Sequence, residues 1–445
     1  MPHRLLIAFA LATIVSCDSS RSESAEPRRP TFAESVGFNT HYRSTVDRKA
    51  LELLAGIGVT QVRNDLAWNQ IEKERGVYDF EGAGYDTFVE ACEKLGLRIL
   101  FVLDYGNSLY GENRAVVDGE GRRAFAAFAA AVAKRYGGRG HDWEIWNEPN
   151  VAKFWGSKEG GPDTVAYSEL VKAVAPALRK ADPEARIAAG ALFFTFADSI
   201  ETGGYGIAGP RFLKEVAATD ALSLVDEVTL HLYRPDQPEG ALEDIELAQQ
   251  ILKDAGHDVP VTSGEWGYST YDPNVPPEGL AFLPPVSPER QASYYARMLL
   301  LNFANGLTRS IIYKNVDKRD PSPGHIEHHW GITTAKLDKK PSYDALKTAL
   351  KMVGDAPVPE RLDLASKEYQ LRFKKPDGAH VIALWAEQKA TWTLKAEAPT
   401  GDERVVGRDG DDITPEGLAD GVEFTLESDQ GPIYLVGKIS VTRTK

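Results

Sequence analysis

An alternation repeated eight times between Ser35 and about Val353 constrains this chain more than any other feature. Short apolar, β-branched runs are each followed by a longer run of helical period. The strands read from it are Val36–His41, Thr60–Asn64, Arg98–Asp104, Trp143–Trp146, Arg186–Ala191, Glu227–Leu232, Pro260–Gly264 and Ser310–Tyr313. The helices are Asp47–Ile57, Tyr85–Leu95, Arg123–Tyr136, Thr164–Ala181, Pro210–Val216, Gly240–Ala255, Pro288–Ala304 and Ser342–Met352. Runs such as Ile99–Leu103 are apolar without alternation, which suits strands buried on both faces, the usual situation in a parallel sheet covered by helices. Eight βα units in succession predict an α/β fold, a (β/α)8 TIM barrel, with an open doubly wound sheet as the alternative.

A barrel takes about 250 residues, and the chain has 445, so a second domain is expected. After about Pro357 the pattern becomes short alternating strands, Tyr369–Phe373, Val381–Trp385, Thr391–Lys395, Val422–Leu426 and Pro432–Val436. Turn signals such as Pro376-Asp-Gly378 separate them, as in a C-terminal all-β (β-sandwich) domain. The expected division is a signal over 1–17, a tether over 18–33, the barrel over 34–355 and the β-domain over 356–445. Trp385 and Trp392 stand within strands and are expected to pack the β-domain rather than bind a ligand.

The N-terminus has a basic start, the apolar run Leu5–Val15 and then Ser16-Cys17, as a secretory signal does. Ile14-Val15-Ser16-Cys17 resembles a bacterial lipobox, which implies lipidation at Cys17 and a lipoprotein carried across the inner membrane and anchored in the periplasm or at the cell surface. A plain cleaved signal is the alternative. The only other cysteine, Cys92, falls in a helical pattern and reads as core, so no disulfide framework exists. The net charge of −14 opposes a nucleic-acid partner, because an acidic surface repels phosphates. The chain is expected to be a monomer whose membrane contact is the anchor at Cys17.

Barrels place their chemistry at the C-terminal ends of the strands. The fourth strand ends in Trp146-Asn147-Glu148-Pro149-Asn150 and the seventh in Ser263-Gly264-Glu265-Trp266-Gly267. Two glutamates three βα units apart can face each other across the barrel mouth. Opposed carboxyls are the minimal apparatus for cutting a glycosidic bond: one protonates the leaving oxygen and the other attacks or activates water. Proximity separates their pKa values and so divides the labour. Neighbouring residues of a regular strand point to opposite faces, so Asn147 and Glu148 can both reach a substrate only if the chain kinks at Trp146–Pro149.

With these residues the chain resembles the retaining glycoside hydrolases of clan A, over most of residues 35–353. Asn64–Phe80, with Trp68, Ile71-Glu72 and Gly76–Phe80, is similar to families 39 and 5 of that clan, and a β-sandwich suits family 39. The resemblance implies that Glu148 is the acid/base, Glu265 the nucleophile and Asn147 the ligand of the sugar 2-hydroxyl. It implies that the tyrosine of His231-Leu232-Tyr233 hydrogen-bonds the nucleophile and that Arg63 is the basic residue near it, and Arg63, His231 and Tyr233 are taken with Asn147 as substrate-binding residues. One departure stands out. The eighth strand ends in Tyr313-Lys314-Asn315 where many clan members carry a tryptophan platform, and Trp330 is the candidate substitute. Tyr105, Trp155 and Trp330 are taken as substrate-binding aromatics, with Tyr110, Phe154 and Tyr268 as further candidates. His325, His328 and His329 lack carboxylates at ligand spacing, so no metal is expected, and no cofactor is needed. The expected partner is a poly- or oligosaccharide. A non-catalytic carbohydrate-binding lipoprotein and a transglycosylase remain as alternatives.

Overall fold

The computed structural model describes residues 28–42, 45–111, 114–156, 160–194, 206–279, 283–397 and 399–444, and the signal with Cys17 lies outside them. Eight parallel strands close into a barrel: β1 (Val36–Asn39), β2 (Gln61–Ala67), β3 (Arg98–Asp104), β4 (Asp142–Ile145), β5 (Ile187–Phe193), β6 (Glu227–His231), β7 (Val261–Trp266) and β8 (Ser310–Ile312). Each is followed by its helix: α1 (Arg48–Gly56), α2 (Tyr85–Lys94), α3 (Gly119–Tyr136), α4 (Thr164–Ala181), α5 (Gly209–Ala217), α6 (Ala241–Asp254), α7 (Pro288–Ala304) and α8 (Pro341–Val353). Local chemistry sets the helix starts. Asp47, Asp118, Asp163 and Ser287 accept backbone N–H groups of the first turns, and Pro288 and Pro341 open their helices. The cap at Asp118 explains why α3 begins four residues before the expected Arg123. The closed sheet excludes the open doubly wound alternative.

Part of the expected tether belongs to the barrel. Thr31 and Glu34 form a capping box on a short helix, Phe32–Ser35. Phe32 is fully buried, and its N–H donates to the Ala356 carbonyl 3.0 Å away. A single aromatic after a polar stretch carries no periodic signal, which is why composition alone extended the tether to residue 33.

Charge closes the barrel floor. Arg309, just ahead of β8, reaches Asp142 at 2.6 Å, Glu227 at 2.9 Å and Gln61 at 3.0 Å, at the starts of β4, β6 and β2. All four side chains are buried.

The β-domain has a five-stranded and a three-stranded antiparallel sheet. Its strands are β9 (Glu360–Ala365), β10 (Glu368–Lys374), β11 (His380–Ala386), β12 (Ala390–Ala396), β13 (Arg404–Val406), β14 (Val422–Leu426), β15 (Ile433–Val436) and β16 (Ile439–Arg443). The sheet orders are β9-β10-β11-β15-β13 and β14-β12-β16. Trp385 and Trp392 are fully buried, as a packing role requires. β9, β13 and β16 were not legible: β13 is three residues long, and the other two carry charged or polar residues at their ends. A buried polar junction joins this domain to the barrel. Arg297 of α7 pairs with Glu239 and donates to the Ser428 carbonyl, while Trp385 Nε1 donates to Glu239 at 2.8 Å. Among the described residues no helix is long and apolar enough to cross a membrane.

Replacing Arg309 with methionine strips buried Asp142 of the cation paired with it and leaves Glu227 with Arg186 alone. The expected loss of unfolding free energy is about 3–5 kcal/mol. Urea titration measures it, and a loss under about 1 kcal/mol would show that the floor is held by other contacts.

Candidate active site

The kink expected after β4 is present. The strand stops at Ile145, and Trp146 and Glu148 take left-handed φ values of 71° and 45°. Each such non-glycine residue costs on the order of 1 kcal/mol and persists only where its surroundings hold it. Fully buried Trp146 packs edge-on against Trp155 at 4.8 Å, and the Glu148 N–H donates to the Ala191 carbonyl at 3.0 Å. Asn147 then turns toward Arg63 and Tyr105, and Glu148 toward His231.

Glu265 lies in β7, paired with His231 across a register shift. Its Oε1 accepts from Asn39 Nδ2 and from an Arg63 amino group, each at 2.6 Å, and its Oε2 accepts from the Tyr233 hydroxyl at 2.9 Å. All these partners are donors, the set from which an anionic carboxylate accepts. Arg63 is fully buried. Its other nitrogens reach Glu144 at 2.6 Å and Asn147 at 2.9 Å, so one guanidinium grips the ends of β4 and β7 together. Thr229 closes the second oxygen of Glu144. Gly264 leaves the space this needs, because a Cβ there would stand 3.2 Å from His231 Nε2 and 3.4 Å from Glu144.

Glu148 has a different environment. Burial is the largest influence on it and raises its pKa to about 8; nearby Arg63 opposes the rise and Glu327 adds to it. Burial also pushes His231 down to about 4, so its ring is neutral and carries one N–H. Its Nδ1 lies 2.7 Å from Glu148 Oε1 and 3.4 Å from Glu265 Oε2. A proton assigned to Nδ1 donates to Glu148 Oε1 and leaves Oε2 to carry the transferable proton. Single donor atoms of Glu148, His231 and Glu265 all lie within 4.8 Å of one another. Such a trio could in principle hold a cation. Glu265 already accepts from three groups, though, and the Arg63 guanidinium at 2.6 Å repels one.

The structure sorts the other candidates. Tyr105 is half-buried, stacks on Phe154 and accepts from Asn147, so it stands at the site. Trp155 does not: it is fully buried between Trp146 and Tyr167. Trp330 is 1% exposed and packs edge-on against Tyr233 and Tyr313, so it backs the site and is no open platform. Fully buried Arg63 and His231 likewise hold the acids in place rather than presenting a surface to a ligand. Tyr110 hydrogen-bonds Glu72 and stacks on Trp68, and Tyr268 is packed on Tyr294. The three histidines are engaged in their own loop, with His328 between the Ser322 N–H and Lys318, and His329 on the Ser322 carbonyl. Sequence reading missed Asn39, Glu144 and Glu327. The first two had a signal, a polar residue inside an apolar strand run. Glu327, which accepts from the Tyr313 hydroxyl at 3.1 Å, sits in a loop and had none.

No family model and no curated protein matches the sequence. Solved structures do match. A family 39 glycoside hydrolase from the gut symbiont Bacteroides cellulosilyticus WH2 has 25% identity and a TM-score of 0.72, over 92% of this chain and 81% of that one. The structural neighbours are clan A glycoside hydrolases. They include two of family 30 that share the fold at low identity. The endoxylanase of Clostridium papyrosolvens C71 has 12% identity and a TM-score of 0.60, over 92% of this chain and 97% of that one. Xylanase C of Talaromyces cellulolyticus has 11% identity and a TM-score of 0.59, with the same coverages. The fold of this chain and its place among these structures are those of a glycosidase.

The raised pKa of Glu148 gives a stability test with a definite sign. The folded state holds this proton up to about pH 8, whereas an unfolded glutamate releases it near its ordinary 4.5. Between those values the folded state binds more protons, so this group's contribution to stability falls as pH rises. Glu148→Gln should therefore gain Tm relative to wild type from pH 4.5 to 8 and level off above. A difference that stays constant across this range would show that Glu148 is already ionised.

Proposed function

We propose that this chain is a retaining glycoside hydrolase acting on a poly- or oligosaccharide, with Glu148 as acid/base and Glu265 as nucleophile. The approach of the two carboxylates carries the reading: an oxygen of each lies within 4.8 Å of the other. Double displacement works with carboxyls about 5–5.5 Å apart, whereas inversion needs about 6.5–9.5 Å to admit water. In the first step Glu148 Oε2 gives its proton to the leaving glycosidic oxygen while Glu265 bonds to the anomeric carbon. In the second, the now ionised Glu148 takes a proton from water, whose oxygen displaces Glu265 and restores both groups. The buried site of Glu148 suits the first step because it keeps the acid protonated at neutral pH. Tyr105 and Asn147 stand where they can meet the sugar. Anchoring by a lipid at Cys17, export across the inner membrane and a monomeric state complete the proposal. They rest on the N-terminal pattern and on the acidic, ordinary composition.

Two variants separate the roles. Glu265→Ala should lose roughly 10⁴-fold or more in kcat on every substrate. Glu148→Ala should lose about 10²–10⁴-fold on alkyl glycosides, and much less on aryl glycosides whose leaving group needs no proton. Equal losses for both leaving groups would remove Glu148 from the acid's role, and a fully active Glu265→Ala would remove the nucleophile.

A further inference from the structure

Tyr233 holds Glu265 from a segment that is itself gripped by the β-domain. After Tyr233 the chain folds into a compact unit ending at Gly240. Arg234 pairs with Asp236 at 2.9 Å and Asp244 at 2.7 Å, and its guanidinium lies over Gly240, where a Cβ would stand 2.4 Å from it. The Gly240 N–H donates to the Gln237 carbonyl at 3.2 Å, closing the unit. Glu239 within it is 6% exposed and accepts from two sides. Fully buried Arg297 of α7 approaches its carboxylate with Nε at 2.8 Å and with a terminal nitrogen, and Trp385 of β11 donates its indole N–H at 2.8 Å. Gln237 extends the clamp, with its Oε1 accepting from Arg297 at 2.7 Å and its Nε2 donating to the Glu387 carbonyl at 3.3 Å. The Trp385 indole is fixed in turn by Tyr369, stacked on it at 5.2 Å with the rings 5° from parallel.

We infer that the β-domain is part of the catalytic unit: Trp385, acting through Glu239, is a positioning residue that sets the Tyr233 hydroxyl against the nucleophile. The inference rests on the reading of Glu265 as nucleophile and goes beyond it, giving the accessory domain a task in the reaction rather than in capturing substrate. The physical argument is one of freedom. A tyrosine hydroxyl has one bond to give, and it stabilises charge on Glu265 only if its backbone is held to within a fraction of an ångström. The barrel holds Tyr233 from one side: the Leu232 N–H donates to the Glu265 carbonyl at 2.8 Å, and the ring packs against Phe193, Tyr313 and Trp330. The buried clamp on Glu239 holds the segment that leaves it on the other side.

The test uses the full chain with Trp385→Phe, which keeps an aromatic ring against Tyr369 and removes the N–H donated to Glu239 together with part of the indole's volume. Gln237→Ala, at the edge of the clamp, is the second variant should the first fail to fold. Kinetics on an aryl glycoside should show kcat down about tenfold with KM within twofold. In the Tyr233→Phe background, Trp385→Phe should cause no further loss, because the hydroxyl it positions is gone. Hydrogen exchange of residues 232–240, which needs no substrate, should be faster in Trp385→Phe than in wild type. An unchanged kcat and exchange rate, or an equal tenfold loss with and without the Tyr233 hydroxyl, would overturn the inference. A wild-type chain that turns over no glycoside would instead count against the nucleophile reading, and the exchange measurement would still decide whether the clamp exists.

Discussion

The site depends on one buried guanidinium. Arg63 has no exposed surface, and its three nitrogens are divided among Glu144, Glu265 and Asn147. Placing a cation there is costly unless every donor is matched, and removing one partner from such a set usually costs several kcal/mol. A bonded partner on each of the guanidinium's three nitrogens makes it rigid. β2 supplies the arginine, β4 and the turn after it supply Glu144 and Asn147, and β7 supplies Glu265. The charges thus lock the relative positions of the two strands that carry the acids. The polar floor around Arg309 does the same for the strand starts at the opposite end.

From that frame the unlike behaviour of two like residues follows. Glu265 faces Asn39, Arg63 and Tyr233, all donors. Glu148 has one neutral imidazole at its Oε1 and is otherwise enclosed by protein, so desolvation dominates and it keeps its proton. His231 touches both acids and is kept neutral by its own burial, so it orders the pair without adding a charge between them.

Most of this was legible in the sequence because it follows from periodicity. Eight βα units gave the closed barrel, and the strand ends offered Glu148 and Glu265; Asn147, Arg63 and Tyr233 were singled out by the resemblance to clan A. The kink could be foreseen because two adjacent side chains were both required on one face. What escaped had no periodic signature. Trp155 and Trp330 are tryptophans in loops, and sequence does not tell an aromatic that lines a cleft from one that packs behind it; the structure buries both. Asn39 and Glu144 were hidden among apolar neighbours whose strand character drew the attention. The clamp through Glu239, Arg297 and Trp385 joins residues from three separate parts of the chain, the last of them in the β-domain.

The most direct test of the central claim, that the two acids stand close enough for covalent double displacement, is the anomeric configuration of the first-formed product. Proton NMR during hydrolysis of a glycoside of known configuration reads it before mutarotation mixes the anomers. The account predicts that the configuration of the bond cut is kept. A first product of opposite configuration would contradict it, since inversion works with carboxyls about 6.5–9.5 Å apart, wide enough to admit a water.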